Sequence, residues 1–126
     1  MEPDYCEIPR WQFIKQLIVN LDPVDFLNKM RQAKNPILLD VRTEKEVLEG
    51  KLERAIHLDY LAYSFLDDLE KLNREGSYFV YCRSGRRSVR TCTLMRNMGF
   101  KNIYNLEGGL VAWKNVFSEN EIVNRI

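Results

Sequence analysis

The stretch SYFVYCRSGRRSVRTCTLMRNMGF, residues 77–100, decides how the rest of the chain is read. Tyr78-Phe79-Val80-Tyr81 is aromatic and β-branched, too short for a helix and rich in strand formers. Further on, Val89, Cys92, Met95 and Met98 recur at every third position, as one face of a helix does, and Gly99 stands as its C′ stop. The spacing predicts strand, loop, helix, with Cys82 where a buried strand ends and a helix is about to begin. A helix N-terminus presents unpaired N–H groups and the positive end of the macrodipole, and Arg83, Arg86 and Arg87 stand beside this one. That setting favours thiolate over thiol, so Cys82 is the candidate nucleophile, set in an anion-binding cup. Gly85 lets the backbone turn tightly with its amides inward. Ser84 and Ser88 offer hydroxyls, and Ser88 can also cap the helix. Cys92 falls on the helix's apolar face and reads as a small buried hydrophobe.

Upstream, Ile37-Leu38-Leu39-Asp40-Val41 is an apolar run broken only at Asp40, the pattern of a strand buried on both faces of a parallel sheet. Asp40 reads as a structural acid hydrogen-bonded to neighbouring backbone, in preference to a group that meets substrate. Arg42 follows the strand's C-terminal end, the edge where parallel sheets put their ligands. It is placed either to meet one or to pair with Glu46 four residues on. Thr43 and Glu46 form a capping-box pattern at the start of a short helix. Ala55 to Leu58 is a further short strand holding His57, the only histidine, which reads as a partly buried strand residue in preference to a catalytic one. Leu61, Phe65, Leu66, Leu69 and Leu72 mark an amphipathic helix whose acidic side is a solvated face.

Nearer the N-terminus, Leu17-Ile18-Val19 is a first strand candidate, and Asp22-Pro23 opens a helix with apolar Phe26, Leu27, Met30 and Ala33 that ends before Asn35-Pro36. Residues 1–13 read as an N-terminal extension on the domain surface, anchored by Trp11 and Phe13 and holding Cys6 as an idle thiol. At the other end Asn102 to Leu106 is a last strand. Gly108-Gly109 turns the chain into a short helix whose Trp113 belongs to the core. Residues 119–126 form a polar tail, with Ile122, Val123 and Ile126 as one docking turn. Strands alternating with helices predict an α/β fold: one domain over residues 14–118, a central five-stranded parallel sheet with helices on both faces.

A chain of 126 residues, 45% of them hydrophobic, suits one domain with a real core. Its 19 basic and 18 acidic residues leave a net charge of +1, so no global field points to nucleic acid or an anionic membrane. No apolar run approaches the ~20 residues of a membrane span, and Met1-Glu2-Pro3-Asp4 lacks the basic, then apolar, start of a signal peptide. Cys6, Cys82 and Cys92 are odd in number and widely spaced, without a C-x-x-C, which suits neither a disulfide scaffold nor a zinc site. Reduced thiols in the cytoplasm, with no metal and no cofactor, are the expectation.

Cysteine loops of this outline come in two lengths. The protein tyrosine phosphatases wrap a tetrahedral phosphate with C-x5-R, whereas Cys82 to Arg87 is C-x4-R, one residue short for that cradle. The shorter CRSGRRS resembles the active-site loop of the rhodanese (sulfurtransferase) family, single-domain type. Leu39-Asp40-Val41-Arg42 with Glu46 and Gly50 is similar to that family's LDVR-x3-E-x3-G, Ala55-Ile56-His57-Leu58 to its G-A-x-x-[IL], and Leu106 to Trp113 to its L-x-G-G-x-x-A-W. The four blocks come in the family's order and cover roughly residues 17–117. Lys51, Arg54, Val47 and Asp59 stand where the family usually has histidine, glycine, an aromatic residue and proline.

The resemblance implies that Cys82 follows the fourth strand and carries sulfane sulfur as a persulfide. The donor would be thiosulfate or a persulfide or polysulfide, and the acceptor cyanide or a thiol, with a sulfur-carrier protein as a further candidate partner. Arg83, Ser84, Gly85, Arg86 and Arg87 would form the substrate loop, supported by Asp40, Arg42 and Glu46. Two readings of Arg87 stand: it pairs with Asp40 or Glu46 and fixes the loop, or it reaches the substrate. The rivals are a phosphatase or arsenate reductase on the same scaffold, and a non-catalytic or regulatory binding domain of this type. Loop length predicts negligible hydrolysis of aryl phosphates. Assaying p-nitrophenyl phosphate beside thiosulfate and cyanide checks this, and faster phosphate ester hydrolysis than sulfur transfer would overturn the spacing argument.

Overall fold

The computed structural model describes residues 10–117, the Trp11 side chain excepted; Cys6, most of the expected N-terminal extension and the 119–126 tail lie outside them. The elements run α1 (Arg10–Lys15), β1 (Val19–Leu21), α2 (Pro23–Gln32), β2 (Pro36–Asp40), α3 (Glu44–Leu48), β3 (Ile56–His57), α4 (Phe65–Glu70), β4 (Ser77–Tyr81), α5 (Arg86–Asn97), β5 (Asn102–Leu106) and α6 (Gly109–Val116). All strand pairings are parallel, in the order β1-β5-β4-β2-β3, so β4 is the middle strand and Cys82 follows its C-terminal end. This is the expected five-stranded parallel sheet with helices on both faces.

Alternation along β4 divides the core in two, because successive side chains of a strand point to opposite faces. Phe79 and Tyr81 join Leu38 and Leu106 beneath α2 (Phe26, Leu27, Met30) and α6 (Leu110, Trp113). Tyr78, Val80 and Cys82 join Leu39 and Val41 beneath α4 (Phe65, Leu69) and α5 (Cys92, Met95). The aromatic rings lock edge to face, Phe26 on Phe79 with centroids 5.4 Å apart at 90° and Tyr78 on Phe100 at 5.4 Å and 85°. Asp22 caps α2 by accepting the Asp25 N–H at 2.8 Å, and Pro36 occupies the first position of its strand, the place where a missing N–H is tolerated.

Several boundaries differ from the sequence expectation, each for a local reason. The first strand is Val19–Leu21, because Lys15 and Ile18 carbonyls accept the Asn20 amide and the preceding residues Arg10–Lys15 coil into a helix packed on α5. Phe13 is 54% exposed and anchors nothing by burial. The Leu61 to Leu72 helix contracts to Phe65–Glu70, since the Asp59 carboxylate takes the Leu61 N–H at 2.8 Å and makes a turn there. Leu61 and Leu66 are consequently exposed, leaving Phe65 and Leu69 to face the core. The turn before β3 holds Arg54 at φ +67°, left-handed backbone that glycine adopts freely and an arginine does not.

Tyr81 ties the two central strands to that turn. Its buried hydroxyl donates to Asp40 Oδ2 at 2.7 Å and accepts the Leu52 N–H at 3.1 Å. Phenylalanine at this position would leave a buried N–H without an acceptor and remove one donor from a buried carboxylate. Tyr81→Phe is therefore expected to destabilise the protein by ~2 kcal/mol, read as a lower midpoint at unchanged slope in urea unfolding.

Candidate active site

Cys82 is the first residue beyond β4 and is 1% exposed. Gly85, the residue before α5, sits at φ +108°, a conformation that turns its N–H back onto the sulfur at 3.1 Å. Ser88 adds its own N–H at 3.4 Å from Sγ, and in the thiol form Sγ–H donates to Ser88 Oγ at 3.4 Å. The Ser88 hydroxyl in turn donates to the Gly85 carbonyl at 3.1 Å. The sulfur thus faces backbone donors at the start of a helix of 12 residues, as the spacing predicted.

The outer side of the same loop is clamped by α6. The Cys82 carbonyl accepts the Leu110 N–H at 2.8 Å and the Arg83 carbonyl accepts the Val111 N–H at 3.0 Å. These two amides are among the orphan donors of the α6 N-terminus, so each contact satisfies both partners. Gly109 makes the approach possible: at φ +63°, a Cβ there would stand 2.5 Å from the Arg83 oxygen and 2.7 Å from the Cys82 oxygen. Sequence reading took Gly108-Gly109 for a turn and missed this role; the adjacent glycines were the available signal.

Two carboxylate–guanidinium pairs flank the loop, and they differ from one of the sequence expectations. Arg42 pairs with Asp40 and not with Glu46: Nε lies 3.0 Å from Oδ1 and Nη2 2.7 Å from Oδ2, while Nη2 also donates to the Gly50 carbonyl at 2.6 Å. The reason is burial, since the Asp40 carboxylate is fully buried and demands a cation within reach. Asp40 also accepts the Arg42 backbone N–H at 3.0 Å, so it is the structural acid that was expected, with more side-chain than backbone partners. Glu46 instead takes Arg87 in a two-pronged contact, 2.7 Å and 3.0 Å, and its Oε1 closes the capping box onto the Thr43 N–H at 3.0 Å. Arg87's hydrogen bond, with help from Thr43, overcomes burial and pulls the Glu46 carboxyl down to about 2. Of the two partners weighed for Arg87, the side chain takes Glu46. His57 Nε2–H donates to the Arg42 carbonyl at 2.8 Å, which keeps it a strand residue.

Arg83, Ser84 and Arg86 are exposed around the sulfur. An open hollow of about 470 Å³ lies beside the loop, lined by Arg83, Leu110, Val111, Lys114, Glu49 and Gly50 among others. Cys82 does not line it; the loop contributes Arg83 alone. On the far side, burial and then the charge of Cys82 push the Cys92 thiol well above its ordinary range, so Cys92 stays protonated within the core. Among the described residues no group of His, Cys, Asp and Glu is placed to hold a metal ion, and no helix is long and apolar enough to cross a membrane.

Comparison with known proteins gives a consistent picture. A family model described as "Rhodanese-like domain" matches residues 23–116. "Putative sulfurtransferase YtwF" of Bacillus subtilis is 38% identical over 77 residues, 61% of this chain and 72% of that protein. A tRNA uridine(34) hydroxylase of Nitrobacter winogradskyi is 29% identical over 107 residues, 82% of this chain but 42% of that longer protein. Among solved structures, a rhodanese-like domain protein from Staphylococcus aureus superposes with a TM-score of 0.67 at 26% identity, covering 76% of this chain and 91% of its own.

The Arg87–Glu46 pair carries a pH signature. Glu46 sits near 2 in the folded chain and near 4.5 when free, so its contribution to stability is complete above pH ~4.5 and is lost as pH falls toward 2. Both side chains are about one quarter exposed, and screening reduces the contribution to about 2 kcal/mol. Glu46→Gln should lose that amount at pH 7 and narrow its gap from the unsubstituted protein as pH drops through the 4.5 to 2 window. A gap constant over that window in urea unfolding would exclude this pair as its origin.

Proposed function

The chain belongs to the rhodanese-like domain family, and from that membership we propose that it is a sulfurtransferase that carries sulfane sulfur as a Cys82 persulfide, with thiosulfate or a persulfide or polysulfide as donor. The observation that supports this most directly is the sulfur's environment. Sγ is met by the Gly85 and Ser88 amides, and among the described residues no basic side chain is hydrogen-bonded to it. Sulfane transfer moves no proton, so a thiolate held by amides at a helix N-terminus is sufficient for it.

In the proposed first half-reaction an electron pair of the Cys82 thiolate attacks the outer sulfur of thiosulfate. The Cys–S bond forms, the donor's S–S bond breaks, and its electron pair leaves with sulfite. The product is Cys82–S–S⁻, and no proton moves. In the second half, cyanide or a thiolate takes the outer sulfur and the electron pair returns to Cys82. The loop amides stabilise negative charge first on Sγ and then on the outer sulfur, at no cost of reorganisation. Arg83, exposed at the mouth, holds the departing sulfonate, with Arg86 next to it. Ser84 and Gly85 give the loop its turn, while Asp40, Arg42, Glu46 and Arg87 hold it in place.

The reading covers small-molecule donors and thiol or cyanide acceptors, extends to a sulfur-carrier protein as acceptor, and suits a reducing cytoplasm because Cys82 and Cys92 are free thiols. A nucleic-acid substrate is not part of it, given the net charge of +1 and the partial span of the hydroxylase match.

Incubation with thiosulfate should add one sulfur to the protein by mass spectrometry, and Cys82→Ser should abolish both this adduct and turnover. Arg83→Ala should lower kcat/KM for thiosulfate roughly ten- to a hundredfold, the worth of one charge-assisted hydrogen bond. A neutral persulfide donor has no sulfonate, so the same substitution should change its kcat/KM little. Equal losses for both donors would mean that Arg83 tunes the nucleophile instead of reading the substrate.

A further inference from the structure

A second hollow, of about 320 Å³, lies between the last turns of α2 and the start of β2. β2 begins at Pro36 and ends at Asp40, which pairs with Tyr81, so this hollow lies toward the opposite edge of the sheet from Cys82. Leu27, Met30 and Leu38 are its buried apolar floor, and the charged residues that line it are Arg31 and Arg54, both exposed at the rim. No carboxylate is among the described residues of its lining. Exposed arginines usually need no explanation, but Arg54 has an unusual backbone. Its φ of +67° is strained for a residue with a Cβ and easy for glycine. Bonds on either side hold that turn: the Leu52 N–H donates to the Tyr81 hydroxyl at 3.1 Å, and the Ala55 N–H to the Leu52 carbonyl at 3.2 Å. None of them uses the Arg54 side chain, and neither Arg54 nor Arg31 has a hydrogen-bond or ion-pair partner among the described residues. The strained turn therefore carries a guanidinium that no group around it engages, at the rim of an apolar hollow.

We propose that this hollow is a binding site for a small carboxylate with a compact apolar body, of the size of phenylacetate or hexanoate. Its volume stands at the lower end of the roughly 300–1,000 Å³ that small-molecule sites span, which suits a body of one ring or a short chain. The body covers Leu27, Met30 and Leu38, and the carboxylate stays at the rim with the two guanidinium groups. Arginine fits that task, because its planar fork matches a carboxylate and is weakly hydrated. A phosphate dianion would bring more charge, and a tighter hydration shell, over the same apolar floor. The site is separate from the loop that holds the sulfur, so it stands whether or not Cys82 transfers sulfur.

Three probes share one body and differ in charge: phenylacetate is an anion, 2-phenylethanol is neutral and 2-phenylethylamine is a cation. Followed by NMR, phenylacetate should shift the methyl resonances of Leu27, Met30 and Leu38 and leave the Gly85 and Ser88 amides in place. It should bind more tightly than the alcohol, and the amine more weakly than either. Arg31→Gln and Arg54→Gly should each raise the Kd for phenylacetate about three- to fivefold, as expected for one exposed charge pair, and leave that for the alcohol unchanged. Arg54→Gly should also raise the urea midpoint of the unliganded protein, since glycine relieves the left-handed turn. Affinity would then fall while stability rises, a combination that a folding defect does not produce. Arg31→Gln, on the exposed side of α2, tests the charge without touching that turn. Equal affinities for the three probes, shifts centred on Gly85 and Ser88, or an unchanged phenylacetate Kd in either variant would overturn the site.

Discussion

The site depends on two backbone hydrogen bonds that involve no side chain: Leu110 N–H to the Cys82 carbonyl and Val111 N–H to the Arg83 carbonyl. A loop at the end of a strand has no intrinsic reason to turn its amides toward one sulfur, because its carbonyls must find donors as well. Drawing both carbonyls outward to α6 frees the opposite side, where the Gly85 and Ser88 amides converge on Sγ. That arrangement needs β5 beside β4, so that the helix after β5 begins next to the loop after β4. It also needs a residue without a Cβ at the contact, which is Gly109. Topology and one glycine together aim the loop.

Positive charge near the sulfur is distributed in a similarly constrained way. Of the arginines around the loop, Arg42 is bound to a fully buried carboxylate and to the Gly50 carbonyl, and Arg87 to Glu46. Both are held by carboxylates from the β2 strand and the α3 segment that follows it, and the energy they contribute goes into holding the loop against the neighbouring β2–α3 connection. Arg83 and Arg86 lie exposed on the same loop. A Lys in place of Arg87 would keep the charge and lose the two-pronged geometry, so the pair's value lies in shape as much as in sign.

Much of this was legible in the sequence because it rests on local patterns. The apolar run at 78–81, the threefold spacing from Val89 to Met98, the Thr43 and Glu46 box and Asp22-Pro23 each specify their own conformation within a few residues. What was not legible depends on residues brought together from afar. Arg42 has carboxylates at i−2 and i+4, and nothing local says which it takes; the burial of Asp40 and the arrival of Arg87 from 41 residues away decide it. Leu61 and Leu66 fit a helical stripe, yet the Asp59 carboxylate captures a nearby amide and breaks the helix first. Arg10–Lys15 lacks an acidic first turn, and its helix is secured by packing on α5 instead.

The same reasoning explains why two buried thiols that lie so near each other have such different surroundings. Cys82 and Cys92 share one core cluster, both about 1% exposed, and differ in what faces the sulfur. Cys82 stands at the helix start, where unsatisfied N–H groups point outward from the first turn; Cys92 is well inside α5, where backbone amides are already bonded along the helix. Exposure therefore does not distinguish the two cysteines, since neither has much. Position along the helix does: at its first turn a sulfur finds donors that nothing else claims, and two turns later an identical side chain finds only hydrocarbon, a neighbour's negative charge and a thiol proton it will not give up.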